Sequence, residues 1–401
     1  MSVVARLGVV FVLLFGMVAC AERPEAVNDL LFFQTPGGVT VVRAGASKPS
    51  FSALGGVPSH DWTAIVQASR SRGSTEVTAS TPSRTGQLWA REVPGSWNVK
   101  VVSEDGNLTA LGPVRERYWE YGRRSTSLMV VGREGRKRTF ELNGNYEPEA
   151  FSTDNQSLFL LSYLPARAPS RYQVRRLDLA TGRVHAVYTP DEHLQGAMRG
   201  TARVQAMSTD GSRLYTLYTL KTPAGPKAFV HVLSLDELWA HCIDLPDDFA
   251  ETPESAALAV SSERDRLYVA NGATGAVTEI DPDSLAVERT ADLAFGRAEE
   301  TFATAGRDAL YLASGTRLTR VALDDLSEAR AWTLPDVISG LQLATDGSKI
   351  FAGVKKQVFV FDVLDGRRVQ TIDPPGVRRV GQLGRIGRSV QRLPDKLLCA
   401  C

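Results

Sequence analysis

Residues 205–220, QAMSTDGSRLYTLYTL, form the stretch that decides the fold of this chain. The stretch contains a short apolar segment, a polar turn at Asp210-Gly211-Ser212, and a second apolar segment that is entered by Leu-Tyr. The same phrase returns as FSTDNQSLFLLSY (151–163), AVSSERDRLYVAN (259–271), ATAGRDALYLAS (303–314) and LATDGSKIFAGV (343–354). One supersecondary unit written repeatedly along a chain is the signature of a repeat architecture.

The repeated unit contains four short strands. Unit 256–295 shows them best, as SAALAVS, RLYVAN, GAVTEIDP and AVERTADL. Strands rich in β-branched and aromatic residues alternate with clusters of Gly, Asp, Asn and Ser, and no useful helical periodicity competes with them. Centres of the second strand lie near residues 32, 65, 109, 159, 215, 268, 311 and 351. Spacings of this length predict an all-β fold, a single β-propeller of four-stranded blades.

Phrases such as TDGSRLYTL and GAVTEIDPDSLAV resemble the bacterial propellers of the YVTN and WD40-like superfamily, over about residues 28–375. The literal Tyr-Val-Thr-Asn motif is absent, and no blade ends in Trp-Asp. The resemblance implies the fold and says nothing of an activity. The strand count gives eight hairpins, whereas seven blades is the commoner closure, so we expect seven blades with eight as the alternative. The first hairpin, at 29–43, is expected to complete a blade begun by C-terminal strands.

Residues 1–19 are expected to be a signal peptide. An early arginine precedes an unbroken apolar run of 13 residues, which spans about 20 Å as a helix, short of the ~30 Å hydrocarbon core of a bilayer. The run ends in Met-Val-Ala-Cys20, which resembles the lipobox of bacterial lipoproteins, with methionine where leucine is usual. The resemblance implies that Cys20 is lipidated and anchors the protein to the cell membrane, facing the extracytoplasmic side. The alternative is ordinary secretion with Cys20 unmodified or removed.

The composition and the absence of certain motifs argue against several classes of function. The chain has 401 residues with 46 basic and 45 acidic side chains, a net charge of +1 that provides no global field for nucleic acid. No HExxH, paired CxxC or GxSxG motif occurs. We therefore predict no catalytic residues, no metal, no cofactor and no nucleic-acid partner.

Any binding site is expected on the loops between the second and third strands, because these loops vary among the blades. The longest is 113–124, PVRERYWEYGRR, which places arginines around aromatic side chains. Such residues anchor interfaces and also contact anionic headgroups. The candidate residues for binding a ligand or partner are Arg117, Tyr118, Trp119, Tyr121, Arg123 and Arg124. The alternative is that this segment packs between blades.

For three further groups of residues, we favour a structural role over a functional one. Aspartates recur in the turn between first and second strands, where Asp and Gly satisfy turn geometry. These are Asp154, Asp210, Asp265, Asp308 and Asp346. The connector 244–255 offers five carboxylates that suit Ca²⁺ by type, but their spacing is not that of a calcium loop, so a solvated connector is favoured. His241-Cys242 is the only adjacent His/Cys pair, and packing is favoured over metal ligation.

The predicted organisation is a signal peptide at 1–19, the lipidated cysteine and a tether at 20–28, the propeller at 29–380 and a basic tail at 381–401. The predicted function is a membrane-anchored, non-catalytic scaffold that binds an envelope protein or a small ligand. One alternative is a lactonase-like propeller hydrolase, which would need His, Asp or Glu converging from several blades. The other is an assembly factor for envelope proteins.

Overall fold

The structure is a computed structural model that describes residues 30–35, 38–43, 49, 51–60, 62–82, 86–114, 122–189, 198–261, 263–294, 300–344, 346–374, 382–384 and 391–396. Within these ranges, no helix is both long enough and apolar enough to cross a membrane. One short helix, α1, spans Asp248–Glu251, and a single 3-10 turn at Pro253–Ser255 follows it. The remaining elements are β-strands.

In chain order, the strands begin with β1 (Leu30–Thr35), β2 (Gly38–Arg43), β3 (Phe51–Leu54), β4 (Val57–Pro58), β5 (Ile65–Ser71), β6 (Ser74–Thr81), β7 (Gly86–Pro94), β8 (Trp97–Val102), β9 (Leu108–Pro113), β10 (Ser125–Gly132), β11 (Lys137–Asn143), β12 (Asn145–Phe151), β13 (Ser157–Leu164), β14 (Arg171–Asp178), β15 (Val184–Ala186), β16 (Thr201–Met207) and β17 (Arg213–Thr222). They continue as β18 (Gly225–Ser234), β19 (Ala240–Leu245), β20 (Ala256–Ser261), β21 (Arg266–Asn271), β22 (Ala276–Asp281), β23 (Ala286–Asp292), β24 (Thr301–Ala305), β25 (Ala309–Ser314), β26 (Arg317–Ala322), β27 (Glu328–Thr333), β28 (Ile338–Leu343), β29 (Lys349–Val354), β30 (Gln357–Asp362), β31 (Arg368–Ile372), β32 (Gln382–Gly384) and β33 (Gln391–Lys396).

These strands form eight antiparallel sheets, the blades of a single β-propeller. Blade 1 contains β32 and β1–β3, blade 2 β4–β7, blade 3 β8–β11, blade 4 β12–β15, blade 5 β33 and β16–β19, blade 6 β20–β23, blade 7 β24–β27, and blade 8 β28–β31. The propeller fold with four-stranded blades is therefore confirmed. The preferred count of seven blades is wrong, and the alternative of eight is confirmed. Each of the eight predicted second strands belongs to a sheet of its own, so no two hairpins share a blade.

The ring closes through blade 1, as expected from the first hairpin. The C-terminal strand β32 pairs antiparallel with β1, with Phe32 opposite Gly384 and Phe33 opposite Leu383. Phe32 and Phe33 are fully buried. Phe32 belongs to a cluster with Trp62 of blade 2, whereas Phe33 belongs to a cluster with Phe351 of blade 8. The two faces of the first hairpin thus join the beginning of the chain to its end.

Strand β33 adds a fifth strand to blade 5. It pairs with β16, whose other edge is occupied by β17, so β33 lies on the inner edge of that blade. Gln391 pairs with Gln205, and Lys396 pairs with Ala202 across a register shift that contains Pro394. Proline has no N–H to donate, and within sheets it occurs at edges and bulges. In a ring of eight blades, blade 5 lies opposite blade 1, so the C-terminal residues reach from one side of the ring to the other.

The second strand of most blades is buried on both faces, because a neighbouring blade covers each side; β5 of blade 2 is the exception, since only its first two residues are buried. All six residues of β25 are buried, as are five of six in β21. The outermost strands contrast with this pattern, since β27 has no buried residue. Burial on both faces explains why the second strands are near-continuous apolar runs in the sequence, such as RLYVAN.

The repeated Asp turn is held by its own side chains. In blade 5, Oγ of Ser208 donates to Oδ1 of Asp210 at 2.6 Å, and the backbone N–H of Ser212 donates to the same oxygen at 3.0 Å. Oγ of Ser208 also accepts the N–H of Arg213 at 2.8 Å, which starts strand β17. The same bonds hold Asp154 with Ser152 in blade 4. The structural role predicted for these two aspartates is confirmed.

Candidate functional site

Most of the binding residues predicted from the sequence lie outside the described residues. These are Cys20, Arg117, Tyr118, Trp119 and Tyr121. Their roles, including lipid attachment at Cys20, stay predictions. Arg123 and Arg124, at the end of the same loop, are described.

Arg123 joins blade 3 to blade 4. Its Nε donates to Oδ1 of Asn145 at 3.1 Å, and its guanidinium also bonds the carbonyl of Tyr146. Burial lowers the pKa of Arg123 to about 10, against the opposing charge of Glu147. Glu147 is only 5% exposed and accepts the hydroxyl of Tyr163 at 2.8 Å. The guanidinium of Arg123 is therefore bonded to blade 4, which fits the packing alternative better than a ligand contact.

Arg124 has a different environment. Its backbone carbonyl accepts the N–H of Gly144 at 2.8 Å, while its side chain is exposed and bonds no described residue. The neighbouring Gly122 has φ +61°, and a Cβ there would lie 2.4 Å from the backbone of Arg167. The end of the 113–124 loop is thus pressed against the loop of blade 4. Of the two described candidates, Arg124 alone presents its charge to solvent.

A cavity lies elsewhere, between the outer halves of blades 4 and 5. We refer to it as the blade 4–5 cleft, and its volume is about 300 Å³. It is lined by Gln173, Val174, Arg175, Ala186, Val187, Tyr188, Thr189, Met198, His231, Ala240, His241 and Cys242. No carboxylate occurs among these lining residues. Two imidazoles, a thiol and a thioether supply half of its polar and sulfur-bearing side chains, and Gln173, Arg175, Tyr188 and Thr189 supply the others.

The hairpin β18–β19 positions two of these groups. His231 on β18 lies opposite Cys242 on β19 in the antiparallel register, so both side chains occupy the same face of the sheet. Met198 approaches from the connector between blades 4 and 5, where its backbone exchanges two hydrogen bonds with Tyr172, of 2.9 and 2.7 Å. Sγ of Cys242 lies 4.0 Å from Sδ of Met198. Residues from both blades therefore converge at one end of the cleft.

The two imidazoles of the cleft, those of His231 and His241, make few hydrogen bonds to described residues. His231 is 5% exposed, and neither of its ring nitrogens bonds a described residue. Burial, with a smaller contribution from His241, lowers the pKa of His231 to about 4, so the ring is neutral near pH 7. Nδ1 of His241 is also buried without a partner among the described residues. Buried polar atoms normally have a partner, so Nδ1 of His241 is a feature of the site that packing does not explain.

An aromatic wall backs the cleft. The rings of Tyr172 and Tyr218 stack at 5.4 Å between centroids, and Tyr218 stacks on Phe229 at 5.3 Å. His231 meets Tyr218 edge-on at 6.2 Å. Burial raises the pKa of both tyrosines well above its ordinary value, so their hydroxyls stay protonated. This wall fixes the His231 ring in place.

A second cavity of about 190 Å³ lies between blades 5 and 6 on the face of the Asp turns. Both arginines that line it already form ion pairs, because Arg213 binds Asp283 of the lining at 2.7 Å and Arg266 binds the adjacent Asp281 at 3.1 Å. The acidic connector is similarly engaged, since Asp247 binds Lys227 at 2.7 Å. Over the described residues, no three or more His, Cys, Asp or Glu side chains are grouped so that they could hold a metal ion.

The blade 4–5 cleft was missed from the sequence, although part of it had a signal there. The predicted turn SLDELW at 234–239 places Leu233 opposite Ala240, and the same register sets His231 opposite Cys242. No sequence signal placed Met198 near these two residues, because Met198 lies in the connector between blades 4 and 5 and not on their hairpin.

Comparison with known proteins supports the fold. No family model matches the chain, and a search of curated proteins found no match. Among solved structures, the dihydro-heme d1 dehydrogenase NirN in complex with DHE aligns with a TM-score of 0.55 at 14% identity, over 91% of this chain and 76% of that one. Two structures of AztD from Citrobacter koseri, one of them the apo form, align at 14% identity with TM-scores of 0.52 and 0.53. They cover 90% and 92% of this chain, and 97% and 98% of theirs. At this identity, the likeness establishes the propeller fold alone.

Proposed function

We propose that this chain is a lipid-anchored, extracytoplasmic lipoprotein whose propeller, related to the YVTN and WD40-like superfamily, acts as a non-catalytic scaffold. It binds an envelope protein or a small ligand. The observation that carries the proposal is the blade 4–5 cleft, a concave site with convergent polar groups, which is the usual form of a ligand site. The lipobox-like segment that ends at Cys20 supports the cellular address.

The structural neighbours are consistent with ligand binding by this architecture. NirN was solved in complex with DHE, so a propeller of similar shape accommodates a bound molecule. Shape does not transfer the identity of a ligand, because one fold hosts many functions. The proposal therefore rests on the cleft itself. Hydrolysis of lactones by the purified chain would favour the hydrolase alternative instead.

Site-specific photocrosslinking in cells tests the scaffold function. Tyr188 lies on the rim of the cleft and is 69% exposed, and a photoreactive amino acid there should crosslink a bound partner. Leu364 is a matched control, because it is 90% exposed and lies on blade 8, opposite blade 4 in the ring. A partner captured only from position 188 supports the proposal. Equal capture from both positions, or capture from neither, contradicts binding at the cleft.

The anchor has its own test. Replacing Cys20 by Ala removes the sulfur on which two acyl chains would give durable membrane attachment. We expect Cys20→Ala to leave the membrane fraction or to accumulate unprocessed, whereas Cys242→Ala should fractionate like the wild type. Unchanged membrane fractionation of Cys20→Ala would refute the anchor while leaving the cleft untouched.

A further inference from the structure

We propose that the blade 4–5 cleft binds one soft monovalent metal ion, of the Cu(I) class, through Cys242, Met198 and His231. This inference rests on the proposed function, because it states what the cleft binds. On binding, the thiol of Cys242 releases its proton to solvent and the sulfur becomes a thiolate ligand. The thioether of Met198 and a ring nitrogen of His231 complete a three-coordinate site.

The sulfur atoms already have the spacing of metal ligands. Sγ of Cys242 and Sδ of Met198 are 4.0 Å apart. For metal–sulfur bonds of about 2.3 Å, two ligands at this distance subtend about 120° at the ion. That angle is the one expected of a trigonal centre. No rearrangement of the two sulfur atoms is needed.

The third ligand comes from the facing strand. His231 lies opposite Cys242 in the register of β18 and β19, and Cβ atoms of such pairs are about 5 Å apart. An imidazole extends far enough from its Cβ to reach an ion held by the cysteine. His231 lines the cleft, is 5% exposed, and bonds no described residue through its ring nitrogens. A metal ion held in the cleft would give this ring a ligand bond.

Ligand softness and charge select the kind of ion. Thiolate and thioether sulfur favour Cu(I), whereas Ca²⁺ and Mg²⁺ require oxygen ligands. No carboxylate lines the cleft and Arg175 already brings a positive charge to it, so a dication would add uncompensated charge in a largely buried site. A monovalent cation bound to one thiolate is neutral overall. Among the described residues, no three His, Cys, Asp or Glu side chains are grouped so that they could hold an ion. The proposed site does not depend on such a group, because only Cys242 and His231 among its ligands are of these types.

The test is anaerobic titration of the full chain with Cu(I), in competition with a chromophoric Cu(I) chelator. Cys399 and Cys401 are first replaced by Ser, because two thiols one residue apart could bind the ion themselves. We expect one Cu(I) per chain in this background. Cys242→Ser should abolish that binding, and Met198→Leu should weaken it on the order of tenfold. X-ray absorption of the complex should show two sulfur ligands and one nitrogen.

His185→Asn is the matched control, since His185 is exposed on β15 and does not line the cleft. It should bind Cu(I) like the background. Thermal melting of each variant separates loss of binding from loss of folding, and Met198→Leu keeps the volume of the side chain. Absence of a bound ion in the background, or binding that survives Cys242→Ser, overturns the metal site. A partner crosslinked at position 188 by a chain that binds no Cu(I) would leave the scaffold function standing and reject the metal alone.

Discussion

Removal of the closing strand should destabilise the whole propeller. A chain that ends at residue 374 lacks both β32 and β33, whereas a chain that ends at residue 390 lacks only β33. The two truncations remove different contacts. Strand β32 closes the ring by pairing with β1, and β33 only covers the inner edge of blade 5. Their comparison therefore separates ring closure from edge covering.

The magnitude follows from what β32 covers. Loss of its pairing with β1 removes on the order of three backbone hydrogen bonds, each worth about 1 kcal/mol net. It also uncovers part of Phe32 and Phe33, and full burial of one such side chain is worth about 1.5–3 kcal/mol. The sum is about 5 kcal/mol, a large part of the 5–15 kcal/mol typical of folded proteins. Loss of β33 alone should cost about 1–2 kcal/mol, since β16 keeps its pairing with β17.

Thermal unfolding followed by circular dichroism measures both effects. At about 2–4 °C per kcal/mol for larger chains, the chain that ends at 374 should melt at least ~10 °C below the full chain. The chain that ends at 390 should stay within about 8 °C of it. If the shorter chain melts like the full one, closure by β32 does not hold the ring together. If both truncations cost the same, β33 rather than β32 is the stabilising strand.

Two further substitutions test structural roles with matched partners. Arg123→Ala should cost about 2–3 kcal/mol in urea unfolding because it removes the hydrogen bonds from the guanidinium to Asn145 and to the carbonyl of Tyr146, whereas the exposed Arg124→Ala should be neutral. Equal effects would contradict the packing role of Arg123. Asp210→Ala should cost about 1 kcal/mol at pH 7, while Asp308→Ala, whose carboxylate accepts no hydrogen bond from a described residue, should cost little. Partial burial acts to raise the pKa of Asp210, but its hydrogen bonds outweigh burial and leave that pKa lowered. Its stabilisation is therefore present above about pH 4 and is lost as the pH falls through the lowered pKa, so the two variants should converge at a pH below that pKa. A difference that persists at that pH would show that the carboxylate charge is not responsible.

The strands were predictable because each carries its own local signal. All eight second strands were located from apolar runs preceded by polar turns, and the structure has them as β1, β5, β9, β13, β17, β21, β25 and β29. The turn Ser208-Thr-Asp210 is local too, since its bonds join residues within five positions of each other. The blade number was misjudged because the general preference for seven blades was weighted above the count of hairpins. In the structure, every hairpin has its own first strand, including one supplied from the far end of the chain.

The functional site was less predictable from the sequence than the strands were. The sequence directed attention to the arginines and aromatic residues of 113–124, of which Arg123 bonds Asn145 and Tyr146 of blade 4. The cleft involves Met198, His231 and Cys242, which come from a connector and two strands. His231 and Cys242 could have been paired from the register of one hairpin. The addition of Met198 depends on how blades 4 and 5 pack, and nothing local in the sequence encodes that distance.

By itself, the sequence determined that this protein is a propeller of four-stranded blades, because blade formation depends on short-range turns and on runs of apolar residues. It also determined where the closing strand must come from, since the first hairpin lacks a partner of its own. Only the tertiary structure decided the blade count, the placement of β33 on the far side of the ring, and the convergence of sulfur and imidazole in the blade 4–5 cleft. These are long-range contacts between segments that are distant in the chain, and they are set by the packing of whole blades rather than by any one stretch of residues.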